Sequence, residues 1–284
     1  MPKREGIQWL IKGEAKQFKI PMIMGILNIT PDSFSDGGQY ASPDLAIDHA
    51  MDMVEQGADI IDIGGESTRP GAPPVTEEEE LDRVIPIIRN LSSKSEVLIS
   101  VDTQKSGVAR AALESGAHII NDVSAGIADE AMLSTVAETG AVYVMMHMQG
   151  TPQTMQDAPV YENVITEIKE YFKNRIQEAE RQGVKISNIV LDPGIGFGKQ
   201  LDHNLKIIAQ MKAFCALGHP ILLGASRKSF IGSIDGSEVA ARMGGSLAAV
   251  LAAFQQGVQI FRVHDVHETR QALHIFTAIQ SHLD

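Results

Sequence analysis

Eight short apolar runs, each ending at a polar residue or a glycine, recur along the chain. They are MIMGIL before Asn28, IIDI before Gly64, VLISV before Asp102, HIIN at Asn121, VYVMM before His147, IVL before Asp192, PILLG before Ala225 and IFRV before His264. Continuous apolar runs are typical of strands that are buried on both faces. The pattern therefore predicts eight buried strands.

Segments in which apolar residues recur with helical spacing separate these runs. The clearest spans residues 43–56, and another begins at Thr76, where Glu79 completes a capping box. Further helices are predicted over residues 106–115, 130–138, 160–182, 201–217, 239–256 and 266–282. Alternating strands and helices favour an α/β fold with a parallel sheet. Eight such units predict a (β/α)8 TIM barrel rather than an open, doubly wound sheet.

The stretch before the first of these strands, GIQWLIKGEAKQFKI, predicts an additional strand or hairpin. We expect residues 1–20 to form an N-terminal extension that caps the bottom of the barrel. Because no Pro/Ser-rich or repetitive linker divides the remainder, residues 21–284 are expected to form one barrel domain.

Composition and charge narrow the class of partner and compartment. The 284 residues include 24 Lys and Arg against 36 Asp and Glu, and this net charge of −12 disfavours binding to nucleic acid or to an anionic membrane. No stretch of the chain approaches the roughly 18 consecutive apolar residues that a membrane-spanning helix needs. Near the N-terminus, charged residues interrupt every apolar stretch that could resemble a signal peptide. A single cysteine, Cys215, excludes an intramolecular disulfide. We expect a cytoplasmic protein that binds neither nucleic acid nor membrane.

Polar or charged side chains stand at almost every predicted strand end. They are Asn28, Glu66 to Arg69, Asp102, Asn121, His147, Asp192, Lys228, Arg262 and His264. In a TIM barrel, the loops after the C-terminal ends of the strands build the active site. Helix capping explains some of the Asn and Asp positions but not the convergence of Lys228, Arg262 and His264. The set therefore predicts an active site at this end of the barrel.

Eight ordered motifs contain these residues. They are NITPDSFSDGG, GGESTRPGA, SVDT, NDVSAG, MHMQGTPQTMQ, DPGIGFGK, ASRKSFIG and RVHDV. The set resembles the motifs of the pterin-binding enzyme family, and specifically of its dihydropteroate synthases. The resemblance implies condensation of (7,8-dihydropterin-6-yl)methyl diphosphate with 4-aminobenzoate, which gives 7,8-dihydropteroate and diphosphate in folate biosynthesis. It also implies a homodimer and a target for sulfonamides.

The resemblance assigns the pterin to five side chains: Asp102, Asn121, Met146, Asp192 and Lys228. A pterin is a flat heterocycle with amide-like and guanidine-like edges, so it needs matched donors and acceptors in an apolar slot. Asp192 is suited to accept hydrogen bonds from the 2-amino group and ring N3, and Lys228 to donate to the carbonyl. Asp192, Lys228 and Arg262 are expected to be the catalytic residues.

The diphosphate is assigned to Arg262, His264, Thr68 and Asn28, and Asn28 is implied to hold the cofactor Mg²⁺. Arg262 can donate to two phosphate oxygens, and the N-terminus of the last helix adds backbone donors. Mg²⁺ takes few protein ligands, so a single amide ligand is compatible with it. Because an arylamine is neutral at pH 7, we expect leaving-group stabilisation and positioning to dominate catalysis, without a general base.

The resemblance assigns the 4-aminobenzoate subsite to residues of the first two βα loops and of two later segments. These residues are Phe34, Asp36, Arg69, Pro70, Gly196, Phe197 and Ser229. His147 is interpreted as a hydrogen-bonded structural residue rather than a catalyst. The sequence GIGFGK lacks the spacing of a dinucleotide-binding or phosphate-binding glycine loop.

Two other functions share part of this pattern. A pterin-binding methyltransferase barrel would share Asp102, Asn121 and Asp192, but it would not need SFSDGG, STRPGA or SRKS. A non-catalytic barrel that senses a pterin or a phosphorylated metabolite would not need residues for both substrates. The presence of both subsites favours the synthase.

Overall fold

An antiparallel hairpin precedes the barrel. The computed structural model describes residues 6–29, 43–67, 71–151, 154–155 and 158–282. Strands β1 (Ile7–Ile11) and β2 (Glu14–Phe18) pair through a turn at Lys12 and Gly13. Both turn residues have positive φ, 50° and 83°, which is the backbone conformation that two-residue hairpin turns require. The predicted N-terminal strand or hairpin is therefore a hairpin.

Eight parallel strands form the second sheet. They are β3 (Met22–Asn28), β4 (Ile60–Gly64), β5 (Leu98–Asp102), β6 (Ile119–Asp122), β7 (Val142–Met146), β8 (Ile189–Asp192), β9 (Leu222–Leu223) and β10 (Ile260–Val263). Their order is β8-β7-β6-β5-β4-β3-β10-β9. A parallel bridge between Leu191 and Ile221 joins the two edges, and the Leu191 amide donates to the Pro220 carbonyl at 3.0 Å. The predicted (β/α)8 TIM barrel is confirmed.

Helices surround this sheet. They are α1 (Pro43–Glu55), α2 (Glu77–Lys94), α3 (Ser106–Glu114), α4 (Met132–Thr139), α5 (Val164–Arg181), α6 (Leu201–Ala209), α7 (Met211–Cys215), α8 (Ser229–Asp235), α9 (Met243–Gln255) and α10 (Val266–Gln280). The predicted capping box of α2 is present: Thr76 Oγ1 accepts from the Glu79 amide, and the Glu79 carboxylate accepts from the Thr76 amide. Its two bonds satisfy backbone groups that a helix start leaves unpaired.

Three predicted helices differ from the observed ones by more than two residues at one end or are interrupted. The helix predicted from residue 160 begins at Val164, because Asn163 caps it by accepting from the Thr166 amide. The helix predicted over 201–217 is broken at Gln210, and the break allows Met211 to be fully buried. The helix predicted from residue 239 begins with a separate 3₁₀ turn, Val239–Ala241.

The N-terminal end of the barrel interior is filled by the hairpin. Ile7, Trp9 and Ile11 are the buried positions of β1, and they pack against inward-facing residues of the barrel strands, among them Met22, Met24, Ile60, Leu98, Ile119, Val142, Val190, Leu222 and Ile260. Asn188 exchanges hydrogen bonds with the backbone of Leu10, at 2.8 and 2.9 Å. The opposite, C-terminal end of the barrel is left for the predicted site. The division at residue 20 into extension and barrel domain stays a prediction.

No helix in the described part of the chain is both long enough and apolar enough to span a bilayer.

Candidate active site

The C-terminal ends of neighbouring strands bring the predicted residues together. In register, Asn28 lies opposite Gly64, Gly64 opposite Asp102, and Asp102 opposite Asn121. Parallel strands end on the same side of the sheet, so these side chains surround one mouth of the barrel. The glycine in this row leaves space between Asn28 and Asp102: a Cβ built on Gly64 would lie 3.6 Å from Asn28 Oδ1.

Arg262, on β10, is held between two carboxylates. Its Nε donates to Asp62 Oδ2 at 2.6 Å, and its Nη2 donates to Asp102 Oδ2 at 2.8 Å. Asn121 Nδ2 also donates to Asp62 Oδ2, at 3.1 Å. A guanidinium has five N–H donors, so these two contacts leave the hydrogens of Nη1 for a ligand.

The charges of this group depend on one another. Burial alone would lower the pKa of Arg262, but the negative charges of Asp62 and Asp102 outweigh it and raise that pKa. Burial raises the pKa of Asp102, and the positive charge of Arg262 opposes this rise. Arg262 therefore stays a cation, and the carboxylates fix its orientation inside the mouth.

Asp62 is a functional residue that the sequence reasoning missed. It is fully buried in the middle of β4, within the apolar run IIDI. A signal was present: side chains alternate along a strand, so Asp62 shares the inner face of the barrel with Ile60 and Gly64. A carboxylate inside an otherwise apolar barrel strand indicates a partner cation in the barrel interior.

Asp192 and Lys228 face the same mouth from the other side of the barrel. Asp192 lies opposite Met146 in register, and its Oδ1 accepts from the Gly194 amide at 2.8 Å. Burial raises the pKa of Asp192, while the Gly194 hydrogen bond and the charge of Lys228 oppose the rise. Lys228 Nζ lies 4.2 Å from the centroid of the Phe197 ring, a cation–π contact.

The environment of Lys228 weakens its hold on a proton. Burial and the positive charge of Arg262 lower the pKa of Lys228 to about 8, against the opposing charges of Asp192 and Asp102. The ammonium form is therefore dominant at pH 7 but close to its titration range.

His264 is held by a serine that the sequence reasoning did not assign. Its Nδ1 lies 3.0 Å from Ser226 Oγ, which also accepts from the His264 amide at 3.2 Å. Burial and the charge of Arg262 lower the pKa of His264 to about 4, so the ring is neutral at pH 7. The hydroxyl of Ser226 can donate to Nδ1 while its oxygen accepts the amide hydrogen, and we assign the neutral ring to this tautomer. This assignment leaves Nε2–H as the donor of the ring.

A second missed pair connects the loops after β9 and β10. Arg227 precedes Lys228 in the left-handed region, at φ 57°, and its Nη2 lies 2.5 Å from Asp265 Oδ1. The Arg227 amide donates to Ser246 Oγ at 2.8 Å. These contacts join the loop that carries Lys228 to the loop that carries His264. The paired residues are far apart in the sequence, so motif spacing did not reveal them.

The remaining predicted residues differ in how far the structure describes them. Of the aminobenzoate set, Gly196 and Phe197 lie in the loop after β8, and Ser229 is the exposed first residue of α8. Phe34, Asp36, Thr68, Arg69 and Pro70 lie outside the described residues.

No group of three or more His, Cys, Asp or Glu residues in the described ranges could by itself hold a metal ion. Asn28 is half-buried at the end of β3, and its Oδ1 borders the space above Gly64. One amide oxygen at the barrel mouth suits a Mg²⁺ ion whose other ligands are water and phosphate oxygens.

Comparison with known proteins gives consistent matches over most of the chain. The family model described as "Pterin binding enzyme" matches residues 24–264. Dihydropteroate synthase of Escherichia coli (strain K12) is 47% identical over 270 residues, which cover 95% of each chain. The crystal structure of the Yersinia pestis dihydropteroate synthase with a sulfonamide drug complex has a TM-score of 0.92 and 42% identity, and the match covers 97% of this chain and 100% of that one. The Xanthomonas albilineans dihydropteroate synthase with 4-aminobenzoic acid has a TM-score of 0.90 and 43% identity, with 97% and 98% covered.

Proposed function

The chain belongs to the pterin-binding enzyme family, and from this premise we propose how its barrel mouth carries out the dihydropteroate synthase reaction. The activity transfers a pterin-methyl group to 4-aminobenzoate in folate biosynthesis. The observation that carries the residue assignment is the convergence of Asp102, Asn121, Asp192, Lys228 and Arg262 around one mouth.

The pterin edge is read by groups of opposite hydrogen-bonding character. The Asp192 carboxylate accepts from the 2-amino group and ring N3 in a bidentate arrangement, and the Lys228 ammonium donates to the carbonyl. Asn121 contributes an acceptor, because its amide nitrogen is directed to Asp62. Asp102 completes the polar edge, and the buried Met146 side chain packs against the ring.

The diphosphate leaving group is bound by Arg262 and His264. Arg262 donates through the hydrogens that Asp62 and Asp102 leave available, and His264 donates through Nε2–H. Helix α10 begins at Val266, so its first backbone amides add donors beside these side chains. Thr68, outside the described residues, is proposed to complete the diphosphate site. Asn28 would hold Mg²⁺ through Oδ1, and the chemistry that the ion supplies there is neutralisation of the charge on the diphosphate.

The reaction at the methylene carbon proceeds by departure of diphosphate before the amine attacks. The bond between the methylene carbon and the diphosphate oxygen breaks, and the electron-rich dihydropterin delocalises the resulting cation. The bond between the methylene carbon and the arylamine nitrogen then forms, and that nitrogen loses one proton to water or to the released diphosphate. Arg262 and His264 stabilise the charge that develops on the leaving oxygen. No residue is needed to deprotonate the amine before attack, because an arylamine is already neutral at pH 7.

The 4-aminobenzoate subsite is proposed to lie beside Phe197. The Xanthomonas albilineans relative has been crystallised with 4-aminobenzoic acid, which supports binding of the same substrate here. Gly196 precedes Phe197 in the loop after β8, and Ser229 follows Lys228 at the start of α8; both are proposed to border the same subsite. Phe34, Asp36, Arg69 and Pro70 are proposed to close the subsite from the first two βα loops.

A synthesis assay tests the activity. Purified protein supplied with Mg²⁺, the pterin diphosphate and 4-aminobenzoate is expected to release diphosphate and form 7,8-dihydropteroate. The Asp192→Asn variant, which replaces the carboxylate with an amide of the same shape, should lower kcat/KM by about 10- to 100-fold, because it removes hydrogen bonds to a charged acceptor. Absence of product from the wild-type protein would contradict the proposed function.

We also propose that the enzyme acts in the cytoplasm as a homodimer. Helix α10 carries the exposed side chains Ile275 and Ile279, which border a shallow apolar groove shared with Leu251 and Phe276. Five of the six residues that line this groove belong to α10, and Leu251 of α9 is the sixth. A second copy of the chain is the proposed occupant.

A further inference from the structure

The loop after β8, residues 193–199, is here called the glycine loop, and its backbone is extensively hydrogen-bonded. Its Gly196 amide donates to Asn204 Oδ1 at 2.8 Å, and the Gly198 carbonyl accepts from the Tyr161 hydroxyl at 2.8 Å. Helix α6 and the segment before α5 thus hold it. A loop with this many fixed groups is suited to hold one conformation.

The glycine loop lies directly against the loop after β7. A Cβ on Gly194 would overlap the carbonyl oxygen of His147, and a Cβ on Gly198 would overlap that of Gln149. Both glycines also have positive φ, 71° and 60°. This close approach buries carbonyl oxygens between the loops, and buried carbonyls need donors.

Lys199 supplies the donors at this contact. Its side chain is almost completely buried, and its Nζ donates to the Phe197 carbonyl at 2.8 Å and to the His147 carbonyl at 3.1 Å. Its Nζ also lies 3.0 Å from His147 Nδ1. Burial and the charge of Lys199 lower the pKa of His147, so the ring is neutral and Nδ1 can accept. All three ammonium hydrogens then have acceptors.

The ammonium has no close counterion in the described part of the chain. No described carboxylate lies within 4.0 Å of Lys199 Nζ, and Asp192 acts on it only from a greater distance. Burial of a lysine without a paired carboxylate costs free energy. An apolar side chain could fill the same volume, so the presence of a donor group here points to the carbonyls of Phe197 and His147 as its purpose.

We propose that Lys199 is a positioning residue for the synthase reaction: it ties the glycine loop to the loop after β7 and so places the Phe197 ring beneath Lys228. Lys199 donates to the Phe197 carbonyl itself, and the Phe197 ring lies 4.2 Å from Lys228 Nζ. Lys199 therefore holds the backbone of Phe197, which is one residue of the proposed aminobenzoate subsite. The inference rests on the proposed function, because it assigns Phe197 to that subsite.

The Lys199→Met variant tests this role, since methionine fills a similar volume without donors. We expect KM for 4-aminobenzoate to rise by about tenfold or more, because small displacements of positioning groups are costly. Affinity for a 6-hydroxymethylpterin probe, measured by calorimetry, should change by less than about threefold, because Asp192, Asn121 and Asp102 remain in place. Amide exchange at Gly196 and Phe197 should accelerate. Lys206→Met, an exposed lysine on α6, is the matched control and should change none of these quantities.

A double-mutant cycle separates a positioning role from a general loss of stability. If Lys199 acts through Phe197, the Lys199→Met change should add less than about twofold to KM in a Phe197→Ala background. Full additivity of the two effects would overturn the inference. Should Lys199→Met not fold, His147→Ala removes the Nδ1 contact together with the ring contacts to Tyr161 and Tyr171 and keeps the carbonyl acceptors of Phe197 and residue 147. It should raise the same KM, and an unchanged KM would overturn the inference. An inactive wild-type enzyme would instead overturn the proposed function.

Discussion

The carboxylate of Asp62 determines how two neighbouring side chains present themselves. A carboxylate can only accept hydrogen bonds, so the amide that faces it must be turned with Nδ2 inward, and the Oδ1 of Asn121 is directed elsewhere. The same carboxylate accepts the hydrogen of Arg262 Nε. Asp62 is assigned to neither proposed substrate, yet it sets the acceptor that Asn121 offers and the edge that Arg262 offers.

Titration of Lys228 predicts an alkaline limb in the pH profile. Its pKa is lowered to about 8, so raising the pH through that value removes the proton and leaves a neutral amine. A neutral amine binds a carbonyl more weakly and no longer offsets the negative charge of the diphosphate. We expect kcat/KM for the pterin diphosphate to fall above pH 8, measured by initial rates from pH 6 to about 10.

Two variants identify the group responsible for that limb. Arginine keeps its proton throughout this range, so Lys228→Arg should lose the limb near pH 8 even though its rate at pH 7 is lower. Burial also lowers the pKa of Lys199, to about 7, and Lys199→Met should retain the limb near 8. A profile that stays flat to pH 10 in the wild-type enzyme would contradict the role of Lys228.

At the residue scale, the sequence predicted groups that stand at strand ends and missed those that hold them. Asp192, Lys228 and Arg262 belong to motifs whose order along the chain is readable. The partnership of Arg262 with Asp62 joins residues 200 positions apart, and that of Lys199 with His147 joins residues 52 apart. Such contacts arise only when the barrel closes, so local spacing does not reveal them.

At the scale of elements, the hairpin of β1 and β2 serves the barrel from the end opposite to the site. Trp9 is almost completely buried and packs against Phe18, with ring centroids 5.3 Å apart. Trp9→Ala should lower the free energy of unfolding by about 3–5 kcal/mol through cavity formation. Chemical denaturation measures this loss, and kcat/KM at a permissive temperature should stay within about twofold of wild type.

Trp9→Phe is the matched control for the hairpin. Trp9 Nε1 has no hydrogen-bond partner among the described residues, so phenylalanine keeps most of the ring contacts and removes a buried unpaired donor. It should therefore cost less stability than alanine. A large loss of kcat/KM in Trp9→Ala without a loss of stability would show that the hairpin acts on the site.

The elements that the sequence predicted well are those determined by local pattern. Continuous apolar runs identified the barrel strands, and Thr76 with Glu79 identified the start of α2. The break at Gln210, where φ is −125°, was missed because no glycine or proline marks it in the sequence. Strand β9 has only two paired residues, although the run PILLG is five residues long, because pairing partners and not hydrophobicity limit a strand.

At the scale of the whole molecule, the net charge of −12 opposes both anionic substrates at long range. The described mouth also contains three carboxylates, Asp62, Asp102 and Asp192, beside the cations Lys228 and Arg262. Salt screens charges beyond about 8 Å at physiological ionic strength. Substrate capture therefore depends on short-range contacts, and the charge balance of the chain says little about them.

The apolar groove of α10 allows a direct test of the proposed dimer. Replacing both Ile275 and Ile279 with glutamate places two charges per copy in the apolar groove of α10 and should convert a dimer into monomers. Sedimentation velocity of the wild type and the double variant measures the change. Ile186→Glu, at another exposed apolar position, should leave the dimer intact. A monomeric wild-type enzyme would contradict the proposed assembly.

The bridge between Leu191 and Ile221 has a consequence for ligand-linked stability. It joins the edges of the sheet at its shortest strand, β9, and Asp192 and Lys228 stand on the two sides of that seam. A pterin that binds both residues thus crosses this seam and links the two edge strands, β8 and β9. Binding only to the closed barrel adds its free energy to folding. The substrate would therefore act as a removable cross-link in the wall of the barrel, and occupancy would govern how readily that wall opens.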